Sequence, residues 1–150
     1  MLLLLLLLFC CGVIVAASQC NTSSSVYFVV RNTSQAEALA EALLCEGAGR
    51  FVAEWHGIVN LSRPLYVSNG TTLNVTGFPT GAGEEPDATA AVIGDGTFRL
   101  IEAHRGSVIF LSDLIFSGGN GALSIVDGSY AEVIGCAFIS NNASSSNGGR

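Results

Sequence analysis

Lysine is absent from this sequence, and charge of either sign is scarce. Charged residues fill 12% of the 150 positions, about half the ~25% usual in soluble domains. The six arginines (Arg31, Arg50, Arg63, Arg99, Arg105 and Arg150) are scattered singly through a chain of net charge -6. Phosphate binding needs clustered Lys and Arg, so this pattern argues against a nucleic-acid partner. The acidic balance serves solubility. There are only two histidines. Neither lies at metal-ligand spacing from a cysteine, and there is no Cys-x-x-Cys, which argues against a zinc site. Paired-carboxylate motifs are missing too: Asp95, Asp113 and Asp127 each stand without a second carboxylate two residues on. The sequence therefore assigns no catalytic, cofactor-binding or metal residues.

What the chain does have begins at its first residues. Leu2 to Leu8 is a leucine run, continued by apolar residues to Ala17 and followed by Ser18. An apolar core ending in small residues is a secretory signal, with cleavage expected after Ser18 or, second, after Ala17. The missing n-region charge and the length of the run leave an uncleaved signal anchor as the alternative. Asn-x-Ser/Thr occurs at Asn21, Asn32, Asn60, Asn69, Asn74 and Asn142, six of the nine asparagines. Chance would give about two, so the enrichment points to passage through a glycosylating secretory pathway. In that oxidising setting Cys20 and Cys45 are candidate disulfide partners. Cys136 is then left over as a small hydrophobe in an apolar strand. Asn74 also falls in an apparent strand, which puts its accessibility in question.

Past the leader, Val26 to Val30 reads as a buried strand. A helix is expected next, capped by Ser34 with Glu37 completing a capping box and stopped by Gly47. Its apolar face is Ala36, Leu39, Ala40, Leu43 and Leu44, with Glu41 and Glu46 on the solvated side. After Gly49 the helical signal ends. Three stretches then share one pattern: an aliphatic strand, a turn ending in Gly plus a hydroxyl residue, and a second alternating strand. They run from Leu65 to Val75, Leu100 to Leu111 and Leu123 to Ile134, with turn glycines Gly70, Gly106 and Gly128. The step from Gly106 to Gly128 is ~22 residues, a length typical of coiled repeats, and the step from Gly70 to Gly106 is clearly longer. A polar insertion from about Thr80 to Asp95 accounts for the difference. Short strands recurring every ~22 residues predict an all-β parallel solenoid whose stacked rungs line up a common interior. A β-sandwich of hairpins is the structural alternative.

Phe138-Ile139-Ser140-Asn141 followed by Gly148-Gly149, with Gly118-Gly119 and Gly121-Ala122-Leu123 after Phe116, resembles a known group. These residues are similar to the Phe-x-x-Asn and Gly-Gly-aliphatic elements of polymorphic outer-membrane-type repeats, on a secreted right-handed parallel β-helix of the pectin-lyase-like kind, as found in algal secretomes. The resemblance spans roughly residues 50–150. Behind the leader (1–18) it implies a strand-helix cap (19–50) and β-helix rungs (51–150). The uncovered edge after Asn142 leads to the expectation of a solenoid truncated at the C-terminal side, unless another chain covers it.

Hydrolases of this fold group their aspartates beside Gly-His-Gly, and the lyases cluster acidic calcium ligands near a basic residue. Neither pattern is present. Arg99, Glu102, His104 and Arg105 form the one polar cluster in the repeats and read as a solvated strand face. Trp55-His56-Gly57 is weighed as a sugar platform but reads as a structural anchor. Glu84, Glu85 and Asp87 lack calcium-loop spacing. The expectation is a secreted or cell-surface glycoprotein: a non-catalytic scaffold contacting extracellular polysaccharide or matrix, with self-association through the open solenoid end. The alternative is the N-terminal part of an extracellular polysaccharide lyase or hydrolase.

Overall fold

Short strands cannot each enclose a core, so they must share one by stacking. A computed structural model of the chain describes residues 25–44, 48–79 and 90–142. The leader, Cys20, Asn21, Cys45, Glu46, Gly47, Glu84, Glu85, Asp87 and Gly148-Gly149 lie outside these residues, and with them the expected disulfide. The described elements are β1 (Ser25–Val30), α1 (Thr33–Leu43), β2 (Arg50–His56), β3 (Ile58–Asn60), β4 (Leu65–Val67), β5 (Thr72–Phe78) and β6 (Ala91–Ile93). They continue with β7 (Ile101–Ala103), β8 (Val108–Ser112), β9 (Ile115–Ser117), β10 (Leu123–Ile125), β11 (Tyr130–Ile134) and β12 (Ala137–Ile139).

The chain winds as a right-handed β-solenoid. Each turn visits three sheets in succession: a five-stranded sheet β1-β2-β5-β8-β11, a four-stranded sheet β3-β6-β9-β12 and a three-stranded sheet β4-β7-β10. All pairings are parallel, which rules out the hairpin sandwich. Arg50 lies beside Thr72 and Val108 beside Tyr130. Each of these is the same step that brings Ser107 against Ser129. Thr72 lies beside Val108, the longer step that also brings Asn69 against Arg105. Most of the excess falls in sequence between β5 and β6, and a few residues more between β6 and β7. That insertion is narrower than the sequence suggested, because Ala91–Ile93 already forms β6 against β3.

The interior is built of columns that follow this register. Phe51, Leu73, Ile109 and Ala131 form one; Ala53, Val75, Leu111 and Val133 form another. On the four-stranded sheet Val59, Val92, Phe116 and Phe138 align, and the rings of Phe116 and Phe138 stack at 5.3 Å. Burying each of the larger side chains contributes about 1.5–3 kcal/mol. Trp55 is fully buried and donates from Nε1 to the Ala91 carbonyl at 3.0 Å, so it anchors the core and offers no platform for sugar. Beside it in register, Gly77 has no room for a side chain, because a Cβ there would run into the Asp113 carbonyl oxygen.

The cap departs from expectation in two ways. β1 is the edge strand, with Tyr27 67% exposed and only Val30 buried. The helix begins earlier than Ser34 would set it. Asn32 is the N-cap and accepts from Gln35 N at 3.0 Å, while Gln35 Oε1 accepts from Arg31 N at 2.7 Å. The cap thus serves the amides of Gln35 and Arg31, and not those of Glu37 and Ser34 that a box on Ser34 would pair. Glu37 and Glu41 instead tie the helix to the β3–β4 connection: Ser62 Oγ donates to Glu37 at 2.8 Å and Arg63 to Glu41 at 2.6 Å. Ala36, Leu39, Ala40 and Leu43 pack on the core, whereas Leu44 is the exposed C-cap.

Candidate functional site

The solenoid places residues of the left-handed region at each of its three corners. Between the three- and five-stranded sheets the same pair recurs from rung to rung: Asn69-Gly70, Arg105-Gly106 and Asp127-Gly128, all at positive φ. Glycine adopts this conformation freely, and Asn or Asp at modest cost. The hydroxyl residue that follows turns inward. Ser107 is fully buried, its Oγ within 3.0 Å of the Val67 carbonyl and 2.9 Å of the His104 carbonyl. Its neighbour in the next rung, Ser129 Oγ, lies 3.2 Å away. Thr71 holds the same place one rung earlier and is also buried.

This corner positions the main polar cluster. His104 precedes the Arg105-Gly106 turn and stacks on Tyr66 of the neighbouring rung at 4.8 Å. Its Nε2 lies 3.3 Å from Glu102 Oε2 and its Nδ1 lies 3.6 Å from Asp127 Oδ2. Of the four residues the sequence grouped, only Glu102 and His104 meet. Arg99 reaches Ser124 Oγ and Arg105 reaches Asn69 Oδ1, each at 3.4 Å. Tyr66 and Asp127 complete the cluster. Neither was legible, because they are contributed by other rungs. The chain's second histidine repeats the device: His56 Nε2 lies 3.4 Å from Glu54 Oε2, and its ring stacks on Phe78 at 5.2 Å.

Chemically, both nitrogens of His104 face carboxylates, so the imidazole links rungs and has no nitrogen turned toward a nucleophilic hydroxyl. Asp95 is engaged locally. The Thr97 hydroxyl and amide both donate to its Oδ1, at 2.6 and 2.9 Å, and hold its carboxyl below the usual range. Asp113 occupies a left-handed corner between β8 and β9. Among the described residues no group of three or more His, Cys, Asp and Glu side chains is arranged to hold a metal ion. Among them, too, no helix is long and apolar enough to cross a membrane.

Cys136 lies at the β11–β12 corner and not within a strand. It is half-buried against the core, and that burial raises its thiol pKa. The Phe-x-x-Asn element acquires a physical meaning. Phe138 stacks in the interior column, and Asn141 grips the preceding rung, its Oδ1 accepting from Gly119 N at 3.0 Å and its Nδ2 donating to the Phe116 carbonyl at 2.8 Å.

The sequon asparagines within the described residues are all exposed. Asn32 caps α1, Asn60 ends β3, Asn69 sits at a corner, Asn74 stands on the outer face of β5 and Asn142 follows β12. The strand position of Asn74 therefore does not hide it. Asn120 and Asn141, which belong to no sequon, are half-buried.

No protein-family model matches this chain, and neither does any curated protein or solved structure.

Proposed function

We propose that this protein is a secreted or cell-surface glycoprotein whose solenoid is a non-catalytic scaffold for adhesion or for contact with extracellular polysaccharide and matrix. The observation that carries the reading is the placement of the described sequon asparagines, every one exposed, while the other described asparagines are half-buried. A solenoid gives such a protein long, regular side walls without requiring a catalytic cleft. The tethered imidazoles are consistent with this role: both nitrogens of His104 and Nε2 of His56 face carboxylates within or between rungs.

The stacked Phe116–Phe138 pair and the Asn141 grip support kinship with polymorphic outer-membrane-type repeats on a pectin-lyase-like β-helix. The reading extends to assembly. Val133 and Phe138 occupy interior columns yet are 38% and 47% exposed, and β10, β11 and β12 are edge strands among the described residues. Unpaired strand edges invite pairing, so a second copy would add there.

The test is to express the chain in secreting eukaryotic cells and incubate the purified product with immobilised pectin, alginate and matrix. Bound protein and released uronate are both measured. Recovery from the medium and binding without uronate release are expected. Release of unsaturated or reducing uronate ends would instead establish a polysaccharide-degrading enzyme.

A further inference from the structure

The outer face of the five-stranded sheet carries its own columns. Across the register Tyr27, Val52, Asn74, Phe110 and Glu132 align, one residue from each strand. Asn74 is on β5, the middle strand, with Val52 on one side and Phe110 on the other, each about 4.8 Å away across the sheet. Asn74 is exposed, while Val52 and Phe110 are half-buried. The centre of this face is thus an apolar pair interrupted by one asparagine, and that asparagine begins the sequon Asn74-Val75-Thr76.

We propose that Asn74 carries an N-linked glycan whose first sugar lies against Phe110 and Val52, so that the chain's own carbohydrate covers the apolar centre of this face. The proposal rests on the secretory reading above. In the modifying step Nδ2 of Asn74 displaces pyrophosphate from the anomeric carbon of a lipid-linked oligosaccharide. The C–O bond to phosphate breaks, a C–N bond forms, one amide proton leaves to a base, and lipid pyrophosphate departs.

Two observations single out this sequon. A pyranose presents an apolar C–H face, which gains by covering an aromatic ring and loses nothing in exposed hydrogen bonding. Asn74 is paired in register with such a ring one strand away; Asn60, the other described sequon asparagine within a strand, pairs with Ile93. Asn32 and Asn69 sit at a helix cap and a tight corner, with Oδ1 engaged by Gln35 N and Arg105. Their sugars would project away from the sheets. At Asn74 the sequon threonine is also held within the sheet, with Ser112 Oγ 3.2 Å from Thr76 Oγ1.

The experiment uses the full chain secreted from eukaryotic cells. Glycopeptide mass mapping reads occupancy at each sequon. Endoglycosidase trimming to a single N-acetylglucosamine, with Asn74→Gln as the unmodified control, reads the effect on thermal unfolding. Asn74 is expected to be occupied, and its sugar to raise Tm by about 3 °C. In Phe110→Ala, or in Phe110→Leu should the alanine variant fold poorly, that gain should shrink by more than half. An unmodified Asn74 beside occupied Asn32, Asn60 or Asn142 would overturn the proposal and leave the secretory reading intact. So would an equal gain in the Phe110 variants. No glycan at any sequon would remove both.

Discussion

Ser107 shows how one side chain is fixed by its place in the winding. Its column holds hydroxyl residues in successive rungs, Thr71, Ser107 and Ser129, and its Oγ bonds the backbone at the end of β4 and at its own corner. Removing a buried hydroxyl of this kind costs about 1–2 kcal/mol. Ser107→Ala should therefore lower unfolding free energy by that amount in urea titration, while Ser107→Thr, which copies Thr71, should stay within about 0.5 kcal/mol of the parent. Equal losses in both variants would show that position 107 does not accept the methyl group that Thr71 carries one rung earlier, so that the hydroxyl alone does not define the site. The Gly-plus-hydroxyl signature was readable because one backbone geometry recurs along the winding. The cluster around His104 was only half readable. Glu102 and His104 are two residues apart in sequence, but Tyr66 and Asp127 reach them only through stacking.

At the level of elements, the two-residue corners carry a measurable strain. Arg105 adopts φ 53° where its rung neighbours use Asn69 and Asp127. A left-handed residue other than Gly, Asn or Asp costs about 1–2 kcal/mol, and the 3.4 Å contact of Arg105 with Asn69 is exposed and weak. Arg105→Asn, made in bacteria so that the sequon it creates stays unmodified, should raise stability by about 0.5–1 kcal/mol. A loss of stability would mean that the guanidinium contributes more than its geometry suggests. Longer strands and the helix were legible because their periods span several residues. The four-stranded sheet was not. Its strands are short, each with a single inward side chain, Val59, Val92, Phe116 or Phe138, too few to show alternation. The corners that precede β3, β9 and β12 use Gly57, Asp113 and Gly135, so no common residue marks them. The helix start was misplaced because Asn32-Thr33-Ser34 offers three capping residues in a row, and the side chain of Gln35 reaches back to Arg31 N while Asn32 accepts from Gln35 N.

For the whole molecule, the defining feature is that the rungs remain in register across the long step between β5 and β8. The even step from Gly106 to Gly128 pointed to the solenoid, and the longer step to Gly106 from Gly70 was explained by a loop insertion from about Thr80 to Asp95. Both steps recur in the pairing of Val108 with Tyr130 and of Thr72 with Val108. Which rung face meets which partner was not legible, because the outer columns are set by sequence-distant neighbours. The most direct test is a disulfide across that long step. Thr76 and Ser112 are register partners whose hydroxyls already touch at 3.2 Å, and neighbouring strands fall within the Cα separation a disulfide needs. The double variant Thr76→Cys with Ser112→Cys should cross-link under mild oxidation, as read by peptide mapping. Thr76→Cys with Leu111→Cys, whose side chains lie on opposite faces, should not. Cross-linking of the second pair alone, or of neither, would contradict the solenoid register.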